Sequence, residues 1–206
     1  MKKIIYSSIF LSAIILMACG GEKVVEDKKY SPEEIALESK KANEFFDRVF
    51  DAKVDRDPMQ QSMYAIKKDY GKWQDISESN AQKELEITKM NLDSLRVNFK
   101  LDGLDEQTKI SYRLFENMCV DAIENFKWHL YDYPVNQMGG LQADIPTFLI
   151  NVHLVTNKSD AEAYVSRLVG MNHLFDQLIE NLKLREVKNI IPPKFVFPYV
   201  LNDCKN

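Results

Sequence analysis

The sequence predicts an all-α fold, an irregular multi-helix domain. Apolar residues recur every three or four positions over most of the chain, which is the period of a helix buried on one face. Helix-start signals precede most of these runs. A single long polar stretch, residues 131–157, interrupts them with a Gly-Gly pair and two prolines.

Composition places the chain among ordinary globular proteins. Its 206 residues are 45% hydrophobic and 28% charged, with a net charge of −4. That length predicts one domain. Because basic residues are not concentrated anywhere, we expect no nucleic-acid partner.

The N-terminus predicts export and a lipid anchor. Lys2 and Lys3 precede an apolar run, residues 4–17, that is shorter than the ~20 residues of a membrane-spanning helix. The run ends in Leu-Met-Ala-Cys-Gly, which resembles a bacterial lipoprotein signal with Cys19 as the lipid-accepting residue. The alternative is an ordinary secretory signal with an incidental Cys19. We therefore expect a cell-envelope protein held to a membrane by lipid on Cys19.

These signals divide the chain into three parts. Residues 1–18 are the predicted signal peptide, residues 19–30 a charged tether, and residues 31–206 the helical domain. Two cysteines remain in that domain. We expect a buried thiol at Cys119, within an apolar stripe, and a free one at Cys204.

The first half of the domain predicts four helices. The first begins at Ser31 and ends near Ala52, and the second begins at Asp57-Pro58 and ends near Lys68. The third begins at Ser77 or Ser79, and the fourth runs from its cap Asp105 to about Leu130. The inner face of the third helix is predicted to hold Ala81, Leu85, Thr88, Leu92, Leu95 and Phe99, and that of the fourth Phe115, Met118, Cys119, Ala122 and Phe126.

The second half predicts a short helix, residues 145–152, capped by Asp144 with Pro146 near its first position. A long helix follows from the cap at Ser159-Asp160 to about Val187, and Gly170 marks a point where it could kink. Pro192-Pro193 ends it. Residues 195–201 are apolar, and the sequence ends within what reads as a continuing helical segment.

The polar stretch is the candidate site. Amides offer both a donor and an acceptor to a peptide backbone, and glycines permit close approach of another chain. These residues are the possible cleft lining: Asn136, Gln137, Gly139, Gly140 and Gln142. The alternative is that the amides only cap a Gly-Gly turn.

The remaining polar residues predict structural roles. His129, His153 and His173 lack the i, i+3 or i, i+4 spacing of a helical metal pair, so we expect no metal and no cofactor in this chain. Arg167 is interpreted as part of a solvated or partner-pairing face. Trp73 and Trp128 are expected in the core or an interface. No nucleophile pattern indicates a catalytic residue.

Several segments carry a family resemblance. They are Tyr70–Ser77 (YGKWQDIS), Tyr133–Gly140 (YPVNQMGG), Asp144–Leu149 (DIPTFL), Asp160–Leu168 (DAEAYVSRL) and Ile191–Phe195 (IPPKF). In this order they resemble the N-terminal part of the bacterial domain-of-unknown-function 885 family. The resemblance implies an all-helical, exported or lipid-anchored protein.

The resemblance also implies a peptidase-like activity for full-length relatives. Their later half carries H-E-x-x-P-G-H, which sets two zinc-binding histidines on one helical face with a glutamate as general base. This chain contains no His-Glu pair. We therefore expect it to be catalytically incomplete alone and to pair with a separately encoded C-terminal half or a peptide. The alternative is a complete helical lipoprotein that acts as a binding module in the cell envelope.

Overall fold

The computed structural model describes residues 29–205, and within them almost all regular structure is helical. The seven α-helices are α1 (Pro32–Asp55), α2 (Pro58–Met63), α3 (Glu78–Asn98), α4 (Glu106–Asn125), α5 (Leu141–Asn151), α6 (Lys158–Val187) and α7 (Val196–Asp203). Two 3₁₀ segments, Leu101–Gly103 and Phe126–Tyr131, precede and follow α4. The strands β1 (Val135–Asn136) and β2 (Gly139–Gly140) form one small antiparallel hairpin. The predicted all-α fold class is confirmed.

The main apolar core lies among α1, α3 and α4. Its centre is aromatic: the Phe45 ring lies 5.7 Å from that of Phe99 and 5.8 Å from that of Phe115. Offset and tilted ring pairs at this distance stabilise a core beyond their buried area. The buried members are Ala42, Phe45, Leu95, Phe99, Leu104 and Tyr112. The predicted inner face of α3 is confirmed, since its six residues are all at least partly buried.

Three of the predicted helix caps are present. The Asp57 carboxylate accepts from the backbone N–H of Met59 and Gln60 at 3.0 and 2.8 Å. Ser77 caps α3, and the Asp105 carboxylate accepts from the Thr108 N–H at 2.7 Å. Each satisfies backbone donors that a helix start leaves without partners.

The predicted extent of α2 was wrong, because the helix ends at Met63 rather than near Lys68. Ala65 adopts a left-handed conformation (φ 57°), and the Ile66 N–H donates to the Gln61 carbonyl at 2.8 Å. This is the geometry of a Schellman C-cap. Such caps usually carry glycine, so alanine at this position gives no signal in the sequence.

Three other boundary predictions were also wrong. Helix α4 ends at Asn125 and is followed by the 3₁₀ segment. In addition, Met118 was predicted on the inner face of this helix but is 68% exposed. Helix α5 begins at Leu141, because Gly140 (φ 115°) turns the chain directly from the hairpin into the helix. Asp144 therefore lies in the first turn of the helix and does not cap it, and Pro146 lies inside the helix. Asn157, not Ser159, caps α6 by accepting from the Asp160 N–H at 3.0 Å.

Helix α6 is continuous through Gly170, so the residue serves packing and not a kink. A Cβ at Gly170 would lie 3.2 Å from Cδ1 of Trp73, so glycine allows the indole to lie against the helix. Within residues 29–205, no helix is both long enough and apolar enough to cross a membrane.

Candidate functional site

The part of the polar stretch that contains the Gly-Gly pair folds as the β1–β2 hairpin, and α5 forms most of the remainder. Val135 pairs with Gly140 and Asn136 with Gly139, which leaves Gln137 and Met138 at the exposed tip. Gly140 requires its glycine: a Cβ there would lie 2.9 Å from the Pro134 oxygen and 3.1 Å from the Asn136 nitrogen. Gly140 therefore makes the close crossing of the hairpin possible.

The predicted cleft amides bind the backbone of their own hairpin. The Asn136 side chain donates to the Tyr133 carbonyl at 3.1 Å and accepts from the Met138 N–H at 2.9 Å. The Gln142 amide donates to the carbonyls of Asn136 (2.6 Å) and Gly139 (3.3 Å). Within residues 29–205, the buried Gln142 Oε1 atom has no hydrogen-bond partner. These contacts fit the turn-capping alternative, and a role in substrate binding stays a prediction.

An apolar cavity of about 300 Å³ lies beside this hairpin. The residues just before the hairpin, together with its first strand residue, form one wall, and the end of α6 and the start of α7 form the other. The lining residues used below are Val135, Ile179, Leu182, Ile191 and Phe197. The five predicted cleft residues do not line it. A volume of this order accommodates an apolar side chain or a small ligand.

A second arrangement, which the sequence did not reveal, centres on Arg167. The interpretation of Arg167 as a solvated face was wrong, since it is 0% exposed. Its guanidinium donates to the Ser62 hydroxyl (2.7 Å) and to the carbonyls of Pro58 (3.2 Å) and Lys72 (3.1 Å). It also lies over the rings of Tyr70, Trp73 and Phe148, the last at 4.7 Å from the ring centroid. The Arg167 cluster is defined as Ser62, Tyr70, Trp73, Phe148, His153 and Arg167.

His153 completes the cluster at 4% exposure. Its Nδ1 lies 2.9 Å from an Arg167 N–H group, and its Nε2 lies 3.0 Å from the Asp160 carbonyl oxygen. The Tyr70 ring stacks on the imidazole at 4.1 Å and donates its hydroxyl proton to the Leu154 carbonyl at 3.0 Å. The loop before α3, the end of α5 and the middle of α6 therefore meet at one buried point.

Asp160 and Lys67 form an ion pair at the edge of the cluster. Both Asp160 oxygens lie 2.8 Å from Lys67 Nζ, and Thr156 donates to the same carboxylate from its N–H (3.0 Å) and its hydroxyl (2.6 Å). These bonds hold the pKa of Asp160 well below its usual range, the Lys67 contact being the largest cause. The carboxylate is thus ionised at neutral pH, and it fixes the start of α6.

Three of the segments that carry the family resemblance supply the Arg167 cluster and its border. Tyr70 and Trp73 belong to YGKWQDIS, Phe148 to DIPTFL, and Asp160 and Arg167 to DAEAYVSRL. A signal for the burial of Arg167 exists in the sequence, because it lies at helical spacing between Asp160, Leu174 and Leu178, which are also buried.

The three histidines do not fit a zinc site. His129 faces the Glu78 carboxylate at 3.0 Å, and His153 is held by Arg167 and the Asp160 carbonyl. His173 lies on exposed α6 surface 3.3 Å from the Gln177 amide. In the part of the chain that the structure describes, no group of three or more His, Cys, Asp or Glu side chains could hold a metal ion.

The cysteines and tryptophans of the helical domain differ in their exposure. Cys119 is buried, as predicted, and burial raises the pKa of its thiol. Cys204 is exposed and free. Trp73 packs in the Arg167 cluster, whereas Trp128 is 55% exposed and therefore not a core residue.

Large apolar side chains are more often exposed than buried in residues 29–205. The exposed set has 26 members, whereas the buried hydrophobic set has 17, which include the smaller residues Ala42 and Cys119. Helix α7 shows this most clearly, because it buries only Val196 and exposes Phe197, Tyr199 and Leu201, with Phe195 exposed just before it. Single exposed apolar residues are normal, but several on one short helix are typical of a surface that another protein covers.

Comparison with known proteins gives a family and no individual relative. Neither the curated proteins nor the solved structures yielded a match. A family model described as "bacterial protein of unknown function (DUF885)" matches residues 58–206, which is well over half of the chain. The match includes all five resembling segments and begins after α1. The chain therefore belongs to the DUF885 family of bacterial proteins of unknown function.

Proposed function

We propose that this chain is the exported, lipid-anchored helical part of a peptidase-like protein, and that it holds a catalytic partner rather than reacting with substrate. The observation that carries this proposal is the apolar surface of α7 beside the 300 Å³ cavity. A separately encoded C-terminal half with the zinc motif is the partner that the family resemblance implies. In that pairing, α7 supplies binding area and the partner supplies the reacting groups.

The chemistry of the buried polar groups supports a scaffolding role. The Arg167 cluster directs its donors at backbone carbonyls and at Ser62, so it joins helices instead of facing a ligand. The hairpin amides likewise bind their own backbone. A rigid platform of this kind is suited to presenting a surface, because little of it has to reorder when a partner binds.

The second candidate is a helical lipoprotein that binds an envelope component or a peptide by itself. The cavity beside the hairpin favours it, since Ile179, Leu182 and Phe197 form an apolar recess open to solvent. Such a recess would receive one apolar side chain of a peptide, with the exposed tip of the hairpin nearby.

The test is whether the surface of α7 is covered by a partner. We expect the isolated chain to bind a hydrophobic dye, and Phe197→Ser with Tyr199→Ser to lower the dye fluorescence at least twofold. The matched control is Met90→Ser, because Met90 is exposed on α3 and does not line the cavity. Dye fluorescence under native conditions is the measurement.

Co-purification then separates the two candidates. If a neighbouring reading frame encodes H-E-x-x-P-G-H, its product should co-purify with this chain and displace the dye, and the α7 variant should weaken both effects. A monomeric chain that binds neither the dye nor that product contradicts the scaffold proposal. Dye binding that is displaced only by peptide supports the second candidate.

A further inference from the structure

His153 can occupy its position in only one protonation state. Arg167 has no acceptor atom, so the contact between its N–H and Nδ1 requires Nδ1 to accept. The Asp160 carbonyl can only accept, so Nε2 must carry the proton. The imidazole is therefore neutral with its proton on Nε2. A second proton would place two cationic donors 2.9 Å apart at a site that is 4% exposed.

The groups around His153 cannot relieve that conflict. From α6 it faces Arg167, the ring of Tyr164 and the backbone of Asp160; from the loop before α3 it faces Tyr70, with Lys67 nearby. The sequence of α2 contains no ionisable side chain. Among the described residues, Asp160 is the anion whose charge acts on His153, but its carboxylate is held by Lys67 and Thr156. Burial, followed by the charges of Arg167 and Lys67, lowers the pKa of His153, and the Asp160 carbonyl and charge oppose them only in part.

We propose that His153 is an acid-operated latch: its protonation expels Arg167 from the cluster and frees α2 and residues 64–73 from α5 and α6. Arg167 is the only member that joins all these parts, through Pro58 and Ser62 on α2, Lys72 on the loop and Phe148 on α5. The core of α1, α3 and α4 contains no histidine, so it should stay folded when the latch opens.

The direction of the pH effect follows from the two states of His153. When the latch is open, the imidazole titrates near its ordinary pKa of about 6.5. When it is closed, the pKa is lower. The closed state is therefore fully favoured above about pH 6.5 and weakens as the pH falls below it, because the open state binds the extra proton.

The chain offers a local reporter for this opening. It has two tryptophans, of which Trp73 lies in the Arg167 cluster and Trp128 is exposed. In the full chain with Trp128→Phe, we expect Trp73 fluorescence to change with a midpoint below about pH 6.5. The far-UV circular dichroism of the helices should stay constant over that range and fall only at lower pH. Both signals are recorded on the same samples.

Two substitutions decide whether His153 is responsible. His153→Gln keeps one donor and one acceptor but cannot titrate, so it should abolish the fluorescence transition. His173→Gln is the matched control, because His173 borders the same groove as Trp73 and could quench it directly; here the transition should remain. A transition that persists in His153→Gln, or one that coincides with loss of helical signal, would overturn the latch.

A measurement on the unsubstituted cluster covers the case in which His153→Gln does not fold. Nuclear magnetic resonance titration of the imidazoles in the Trp128→Phe chain should show a depressed pKa for His153. The His129→Gln and His173→Gln spectra assign that signal to His153 by elimination. Its midpoint should coincide with the Trp73 transition, and a clear mismatch would refute the proposal.

Discussion

Arg167 carries its positive charge at a fully buried position, where its hydrogen-bond partners are all neutral acceptors. Burial lowers its pKa to about 10, so the guanidinium stays charged at neutral pH. Carbonyl oxygens and aromatic faces replace the water that the charge has lost, and each cation–π contact of a desolvated Arg contributes roughly 1–2 kcal/mol. The planar guanidinium suits this position, because it donates hydrogen bonds within its plane and its faces can contact aromatic rings.

Replacing Arg167 tests its role in stability. Arg167→Met keeps a long apolar stem but leaves the Lys72 carbonyl and Nδ1 of His153 without the N–H donor that Arg167 supplies, whereas the Ser62 hydroxyl still donates to the Pro58 carbonyl. Since each buried group left unpaired costs about 1–3 kcal/mol, we expect the free energy of unfolding to fall by about 3 kcal/mol in total. Urea unfolding at pH 7.5 measures it.

The control for this prediction is Arg113→Met on exposed α4 surface, where we expect a change within about 0.5 kcal/mol. Equal effects of the two substitutions would show that the Arg167 cluster does not hold the helices together. So would an unchanged free energy of unfolding in Arg167→Met.

At this scale, the sequence predicted residues whose role depends on near neighbours. Asp57, Ser77 and Asp105 were identified as caps, because a cap needs only the next three residues of the chain. Arg167 was missed, because its partners lie at Ser62, Lys72 and His153, far away in sequence. Charge alone predicts exposure. Only the spacing of Arg167 within the buried stripe of α6 indicates that the residue is buried.

At the scale of elements, the hairpin depends on two glycines that differ in their surroundings. Both have positive φ, 154° at Gly139 and 115° at Gly140. A Cβ at Gly139 would meet only the Asp144 carboxylate oxygen at 4.0 Å, whereas a Cβ at Gly140 would press on the backbone of Pro134 and Asn136. Backbone atoms cannot move aside as a flexible side chain can.

Alanine substitution should therefore separate the two positions. Gly139→Ala should cost about 1 kcal/mol, from the conformation alone, and Gly140→Ala about 3 kcal/mol, from conformation and contact together. Thermal unfolding gives the ranking, and amide hydrogen exchange of Leu141, which donates to the Pro134 carbonyl at 2.9 Å, reports the hairpin itself. Equal losses at both positions would mean that the close crossing does not constrain the hairpin.

Element prediction succeeded where periodicity alone decides and failed where backbone conformation decides. The long amphipathic stripes of α3 and α6 located those helices. The C-terminal end of α2 depends on Ala65, and the start of α5 depends on Gly140, each in a positive-φ conformation. An alanine in the sequence does not indicate such a conformation. On α6, the apolar residues Val165 and Leu168 are exposed, because the buried face of the helix carries Asp160, Arg167 and Leu174 instead.

At the scale of the whole molecule, none of the described helices is long and apolar enough to cross a bilayer. The predicted anchor is lipid on Cys19, which lies outside the described residues, and each buried methylene of an acyl chain contributes about 0.8 kcal/mol. Two or more such chains would hold the domain firmly, although its net charge is negative.

Metabolic labelling tests this anchor. When the full chain is expressed in a bacterium with labelled palmitate, we expect incorporation into the wild-type protein and none into Cys19→Ala, because the lipid is attached through that thiol. Mass spectrometry should show that Cys19→Ala retains residues 1–18, since processing at a lipoprotein signal follows attachment of lipid. Cys204→Ala is the control and should be labelled normally. A wild-type chain cleaved before Cys19 but carrying no lipid would instead identify an ordinary secretory signal, and the domain would then be released rather than anchored.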